Sequence, residues 1–231
     1  MSEAVSAGPP AVTTAPARAR SRAPRGLFAA AALSALLVLL PIAFTFWRAA
    51  SFGIGEAVDL IFRPLVGELL VNTVLITVST TAVCAVVGTA AAWFVERTHL
   101  PGRRIWAVLT AAPLAMPAFI SSYAWVSLSL DLQDFNGALL VLSSAYFPLV
   151  YLPVAAALRS MDPALEESAR ALGCNRWSTF IRVVLPQLRP ALLGGMLLVA
   201  LGVLSEFGAF TLLRFHTFTT QIYAEYRTSF D

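Results

Sequence analysis

The feature that most constrains this chain is an uncharged run of 22 residues, GLFAAAALSALLVLLPIAFTFW, at positions 26–47. As an α-helix, such a run is long enough to cross the hydrocarbon core of a bilayer, which is about 30 Å thick. A basic segment precedes it, as in a signal peptide, but the run is longer than the apolar part of a signal peptide and no small-residue cleavage site stands out after it. We therefore predict a transmembrane helix over 26–47.

Four further apolar runs have the length of membrane spans. The whole chain is 58% hydrophobic and only 13% charged, which lies far outside the range of a soluble domain. We predict an all-α integral membrane protein with five spans. Proline pairs in the third and fourth spans predict kinks whose free carbonyls are covered by neighbouring helices. The four further runs lie at 69–95, 105–130, 137–158 and 191–213.

The arginines predict the topology. Residues 1–25 hold four arginines and almost no large apolar side chains, so we expect a disordered tail. This tail and the loops 96–104 and 159–190 together hold twelve of the sixteen arginines. Because cytoplasmic loops are rich in arginine, we place the N-terminus and both loops in the cytoplasm and residues 131–136 outside.

The composition excludes several kinds of chemistry. All sixteen basic residues are arginines, so no lysine can act as the phosphate-binding residue of a P-loop, and nucleotide hydrolysis must come from another chain. We expect neither enzymatic activity nor a cofactor. Cys84 and Cys174 are too few and too differently placed for a disulfide framework or a metal site. His99 and His216 fall on opposite sides of the predicted membrane, so we predict no metal site.

The polar loop between the fourth and fifth spans has strong local signals. Asp162 is suited to cap a helix, Pro163 to begin it and Gly173 to end it in a left-handed conformation. This short helix has an apolar stripe of Leu165, Ala169 and Leu172, and it pairs Glu166 with Arg170 across one turn.

A second amphipathic helix should follow, capped by Asn175 and ended by Pro186. Its apolar side consists of Trp177, Phe180, Ile181, Val184 and Leu185. The loop is therefore a predicted helix–turn–helix at the membrane surface. Periodicity alone leaves open that it merely joins two spans and anchors them at the interface.

Six loop residues fit the pattern E-x-A-x3-G-x9-[I/V]-x-L-P, namely Glu167, Ala169, Gly173, Val183, Leu185 and Pro186. The pattern resembles the "EAA" loop of permease subunits of ATP-binding-cassette importers of the type I fold. Ser168 replaces an Ala of that motif and Val183 its usual Ile, and both changes are conservative in size. The resemblance covers residues 66–231 and implies a type I permease domain there, with 159–190 as its coupling loop.

The resemblance also implies a mechanism. In the family, the short helix docks into a groove on a cytoplasmic ATPase, and closure of the ATPase dimer moves the helix as a rigid body. By this transfer Glu167 makes polar contacts to the ATPase, Ala169 permits close approach and Gly173 supplies the positive φ of the turn. Leu185 and Pro186 fix the second helix to the bundle.

A narrower resemblance concerns the cargo. Residues 204–231, LSEFGAFTLLRFHTFTTQIYAEYRTSFD, are similar to the corresponding stretch of ferric-iron permeases, a group close to the permeases for thiamine, phosphonates and polyamines. It implies that ferric iron, or a small chelate of it, is delivered by an external binding protein to a permease of the bacterial inner membrane. The other three cargoes remain alternatives.

Glu206 lies within the fifth predicted span, where an acidic residue is a functional-site hypothesis. The alternative is a structural hydrogen bond to Ser or Tyr of a neighbouring helix. Other polar side chains could line a translocation path or join helices, and these are Asn72, Thr73, Thr77, Ser121, Ser122 and Tyr123.

Half-permeases with this loop usually have a sixth span, and the chain stops at Asp231 before one. We therefore expect a truncated or split N-terminal half that needs a second permease half. The expected partners are an ATPase dimer, that second half, an external binding protein and membrane lipid, and no nucleic acid. The rival functions are a secondary transporter driven by an ion gradient, which often shows inverted repeats, and a non-transporting membrane anchor.

Overall fold

The computed structural model describes residues 25–51 and 62–228, so the predicted N-terminal tail falls almost wholly outside the described residues. The first helix, α1 (Arg25–Ser51), contains the predicted span, and its strongly apolar part runs from Phe28 to Arg48. Its large apolar side chains are exposed, as a lipid-facing helix requires.

Residues 62–228 form a separate all-helical body. Counting α1, the described residues contain four helical segments that are long and apolar enough to cross a membrane, or five if one bent pair counts as a span. The predicted all-α membrane fold is confirmed. The helices of this body are α2 (Pro64–Arg97), α3 (Arg103–Ala111), α4 (Ala118–Leu128), α5 (Phe135–Tyr146), α6 (Pro148–Ser160), α7 (Pro163–Ala171), α8 (Arg176–Thr179), α9 (Leu185–Ser205), α10 (Gly208–Leu212) and α11 (Phe218–Thr228).

The core of the body is the meeting point of α2, α6 and α9. Val150 of α6 is fully buried between Gly88 of α2 and Gly195 of α9. A Cβ atom added at Gly88 would lie 2.8 Å from the Val150 Cβ, and one added at Gly195 would lie 2.8 Å from the Val150 Cα. Small residues let helix backbones approach closely in a membrane, and these two glycines allow the three spans to pack.

The third span is broken rather than kinked, which corrects the prediction. The segment Arg103–Ala115 and the helix α4 meet at an angle of 94°. Pro113 lies in a short 3₁₀ turn, Ala112–Ala115, and Pro117 immediately precedes α4. Neither proline has a backbone N–H, and both lie close to the break in the helical ladder. In the fourth span, by contrast, α5 and α6 join into one apolar segment of 26 residues despite Pro148 and Pro153.

The fifth span begins and ends earlier than the predicted range 191–213. One helical segment runs from Arg176 to Ser205 through α8, a π turn (Phe180–Val184) and α9. The prediction that Pro186 ends the second loop helix is therefore wrong. The Leu185 N–H donates to the Phe180 carbonyl in the π turn, and the chain passes through Pro186 at the start of α9 without a break.

Candidate functional site

The predicted coupling helix exists as α7, and its caps are those predicted. The Asp162 carboxylate accepts a hydrogen bond of 2.9 Å from the Ala164 N–H, and Pro163 begins the helix. At the other end Gly173 has a φ of 85°, a left-handed conformation that glycine adopts without strain. The Cys174 N–H then donates to the Ala169 carbonyl at 3.1 Å, which closes the helix terminus.

A capped turn leads from α7 into the fifth span. The Asn175 side-chain oxygen accepts a hydrogen bond of 2.7 Å from the Ser178 N–H, as predicted. Because α8 continues into α9, the second loop helix is the first part of the span itself. It is not a separate helix at the membrane surface, which corrects the predicted helix–turn–helix.

The two sides of α7 differ in exposure. Glu166 and Ala169 are buried, whereas Leu165, Glu167 and Leu172 are exposed. The predicted apolar stripe is thus split, because its middle residue is buried and its outer two are exposed. Among the other predicted coupling residues, Gly173 is exposed, and three are partly buried along the continuous helix, namely Val183, Leu185 and Pro186.

An ion pair connects α7 to the end of α2. The Arg97 Nη2 lies 2.8 Å from Glu166 Oε1, and the Glu166 side chain is only 9% exposed. Arg170 lies on the other side of the carboxylate, with its Nη2 3.8 Å from Glu166 Oε2, so the predicted pairing across one turn is present. Sequence reasoning missed Arg97, whose helix is distant in the chain.

A second carboxylate connects three helix ends nearby. Glu96, whose side chain is 4% exposed, pairs with Arg103 at the start of α3 and with Arg159 of α6, the latter at 3.5 Å. Residues of the loops 96–104 and 159–190 therefore lie at the same end of the helical body, as the arginine pattern predicts.

The predicted path residues are not gathered around one cavity. Asn72 donates to the His216 carbonyl at 3.2 Å, and the Thr73 hydroxyl accepts from the Phe218 N–H at 3.2 Å. These contacts tie α2 to the chain before α11. The remaining residues lie elsewhere on their helices. Thr77 is buried and donates to the Thr73 carbonyl, and Ser122 is buried and donates to the Ala118 carbonyl. Ser121 is half-buried and Tyr123 is exposed.

Glu206 lies outside the helix in which it was predicted. The long helix ends at Ser205, and Glu206 follows it with an extended backbone. Its Oε2 accepts a hydrogen bond of 2.6 Å from the Tyr146 hydroxyl, and its Oε1 accepts one of 3.0 Å from the Ala209 N–H. The Thr219 hydroxyl donates to the Glu206 carbonyl at 2.7 Å. Glu206 thus joins α5, α9, α10 and α11.

No group of three or more His, Cys, Asp or Glu side chains able to hold a metal ion occurs in residues 25–51 and 62–228. His99 and His216 lie at opposite ends of the helical body, since His99 follows the end of α2 and His216 contacts its first part.

Residues 85–230 match the family model described as "Binding-protein-dependent transport system inner membrane component". The chain is 40% identical over 199 residues to the Fe(3+)-transport system permease protein FbpB 2 of Haemophilus influenzae, a match that covers 86% of this chain and 39% of that relative. It is 29% identical over 189 residues to the sulfate transport system permease protein CysT of Escherichia coli, which covers 75% of this chain and 68% of the relative. A similar match, 28% identical over 189 residues, covers 75% of this chain and 68% of the sulfate permease CysW of Synechocystis.

Proposed function

Since this chain belongs to the family of inner membrane components of binding-protein-dependent transport systems, we propose that it forms one half of the translocation path of an ATP-driven importer. Its relatives are permease proteins of transport systems, and the members of the family are inner membrane components. In our proposal a cytoplasmic ATPase dimer supplies the energy, an external binding protein delivers the cargo and a second permease half completes the path. The N-terminus lies in the cytoplasm, and membrane lipid surrounds the spans.

The observation that carries the proposal is the two-sided coupling helix α7. Leu165, Glu167 and Leu172 are exposed around this helix, and exposed acidic and apolar side chains are available for contact with a partner. Its buried side is attached to α2 through the pair of Glu166 and Arg97. A force applied to the exposed side therefore reaches a membrane span through a charged contact as well as through the chain.

The motif residues have complementary roles in this proposal. Glu167 contacts the ATPase, and Ala169 lets α7 pack closely against the following helix. Gly173 provides the left-handed turn between α7 and α8. Val183, Leu185 and Pro186 lie where α8 passes into α9, so they hold the start of the fifth span in place.

We propose ferric iron as the cargo, because the relative with 40% identity is a ferric permease. Sulfate is the second candidate, because the sulfate permeases match over a larger share of their own length. In either case the external binding protein, and not this chain, provides the tight cargo site. In this proposal Glu206 holds the joint at the end of α9 and does not coordinate the ion.

Coupling can be tested with Glu167→Arg and Gly173→Pro in cells that express the complete importer. Both changes should abolish uptake and stimulation of the ATPase while the chain still inserts into the membrane, because one reverses the charge on the exposed side of α7 and the other is incompatible with a positive φ. Glu68→Arg is the matched control, since Glu68 is exposed at the opposite end of α2. Normal uptake in both variants would refute the coupling role.

The cargo can be tested separately, in a strain that lacks this chain and its partner half. Uptake of radiolabelled iron, sulfate, thiamine, a phosphonate and a polyamine should be measured in parallel. We expect only iron uptake to be lost. Loss of another cargo with normal iron uptake would overturn the iron assignment and leave the importer assignment intact.

A further inference from the structure

A cavity of about 970 Å³ lies beside the coupling helix. Its walls come from the last turns of α2, from α7 and from the first turns of the α8–α9 helix. This volume is at the upper end of the range for small-molecule sites, so the cavity is large enough for an amphiphile and far larger than a single ion needs.

The lining of the cavity has two chemically different parts. Arg97, Arg170 and Arg176 contribute three positive charges against the one negative charge of Glu166, so the basic part has an excess of positive charge. Arg176 forms no ion pair with any residue of the described chain. The apolar part consists of Val86, Trp93, Phe94, Trp177, Phe180 and Leu192.

Two hydroxyl groups in the lining lack partners. Thr179 is only 2% exposed, and its Oγ1 forms no hydrogen bond within the described chain. The buried Oγ1 of Thr89 is also without a hydrogen-bond partner there. A buried hydroxyl without a partner is costly, and a small shift of either side chain toward the cavity would let the oxygen acceptors of an occupant relieve that cost.

We propose that this cavity binds one anionic phospholipid. Its phosphate would lie between Arg170 and Arg176, its ester oxygens would accept hydrogen bonds from Thr179, and an acyl chain would follow Phe94 and Leu192. The cavity lies beside the end of α2 and the beginning of the α8–α9 helix, two segments long and apolar enough to span a membrane, and Trp93 and Trp177 are of the residue type enriched at membrane interfaces. Basic pockets between spans at the cytoplasmic interface suit anionic headgroups.

Charge and shape favour this occupant over two others. A metal cation would be repelled by the excess of arginines. A free phosphate would use the arginines but would leave the aromatic part of the cavity unfilled. This assignment goes beyond the importer function and does not depend on the cargo.

The test is native mass spectrometry of the full chain in detergent, with phosphatidylglycerol and phosphatidylcholine of identical acyl chains. The wild type should retain one phosphatidylglycerol and little phosphatidylcholine. Arg176→Gln should reduce retention of phosphatidylglycerol about fivefold, since one basic residue near an anionic lipid contributes on that scale. Arg176→Lys should largely restore it, and Thr179→Val should weaken it without changing the charge.

The matched control is Arg182→Gln, because Arg182 is exposed on the same helical segment and does not line the cavity. Equal retention of the two lipids, or equal effects of Arg176→Gln and Arg182→Gln, would overturn the proposal. Full displacement of the lipid by glycerol phosphate would also contradict it, because the apolar part would then contribute nothing. Dimers of the chain that retain no phosphatidylglycerol would also overturn the proposal.

Discussion

Arg97, the last residue of α2, lies 2.8 Å from Glu166 of α7, and the two residues are 69 positions apart in the chain. The pair links α7 to the end of the membrane-spanning helix α2. Glu166 adjoins the motif residue Glu167, but Glu166 is buried within the chain whereas Glu167 is exposed.

We predict that Glu166→Gln and Arg97→Gln each reduce ATP-driven uptake more than they reduce the amount of chain in the membrane. Arg97→Gln leaves the buried Glu166 carboxylate with only Arg170 at 3.8 Å, and Glu166→Gln leaves Arg97 without that carboxylate. Each change should cost about 2 to 4 kcal/mol of stability. The exchange Arg97→Glu with Glu166→Arg should recover part of the loss. Uptake measures the effect on transport, and thermal unfolding of the purified chain measures the effect on stability. If the exchanged double variant lost as much as its two single changes together, that result would argue against the pair.

The glycine contacts around Val150 give a prediction with a neighbouring control. Gly195→Ala should destabilise the body by about 1 to 3 kcal/mol, because the new methyl group would lie 2.8 Å from the Val150 Cα and 2.9 Å from the Leu149 carbonyl oxygen. Gly194→Ala meets no atom within 4 Å and should be neutral or stabilising by up to about 1 kcal/mol. Thermal unfolding of both variants in the same detergent checks the contrast, and equal melting temperatures would show that α9 does not pack so closely.

The joint at Glu206 is also testable by a double-mutant cycle. Tyr146→Phe removes the hydroxyl that donates to Glu206 Oε2 at 2.6 Å, and it should lower stability by about 1 to 2 kcal/mol. Adding Glu206→Gln should cost less than the sum of the two single changes, because the one amide oxygen of Gln cannot accept from both the Tyr146 hydroxyl and the Ala209 N–H. Tyr123→Phe is the control, since Tyr123 is 66% exposed. Strict additivity would mean that Tyr146 and Glu206 act independently.

Topology can be checked by cysteine labelling of intact cells. In a Cys174→Ser background, Asn136→Cys should react with a membrane-impermeant reagent and Ser160→Cys should not, because the arginine-rich loops are expected to be cytoplasmic. Both positions are exposed, so access to the side chain does not bias the result. Labelling in the reverse order would invert the proposed orientation.

Local signals predicted most of α7. Asp162, Pro163 and Gly173 act through bonds and dihedral angles within a few residues, so the sequence contains all that is needed to place them. The pairing of Glu166 with Arg97 depends on which helix ends meet in space, and no local pattern encodes it. A local pattern therefore predicts the loop motif but not its attachment to α2.

The ends of the spans were harder to predict than their number. Most of residues 207–213 are apolar, so hydropathy did not show that the helix ends at Ser205 and that Glu206 accepts a hydrogen bond from the Ala209 N–H. Pro113 and Pro117 predicted a kink in the third span, but the prolines alone do not specify the break of 94° that the structure has there. Pro186 suggested a helix end by its chemistry, whereas the π turn before it carries the helix onward.

The unbroken segment from Arg176 to Ser205 has 30 residues, which corresponds to a rod of about 45 Å. A tilt of about 10° around its Arg176 end displaces the Ser205 end by about 8 Å. That displacement is close to the spacing between the axes of packed helices, about 8 to 10 Å. If the π turn at Phe180–Val184 stays stiff, a rotation of about 10° beside α7 would therefore shift the far end of this segment by about the distance between two packed helices.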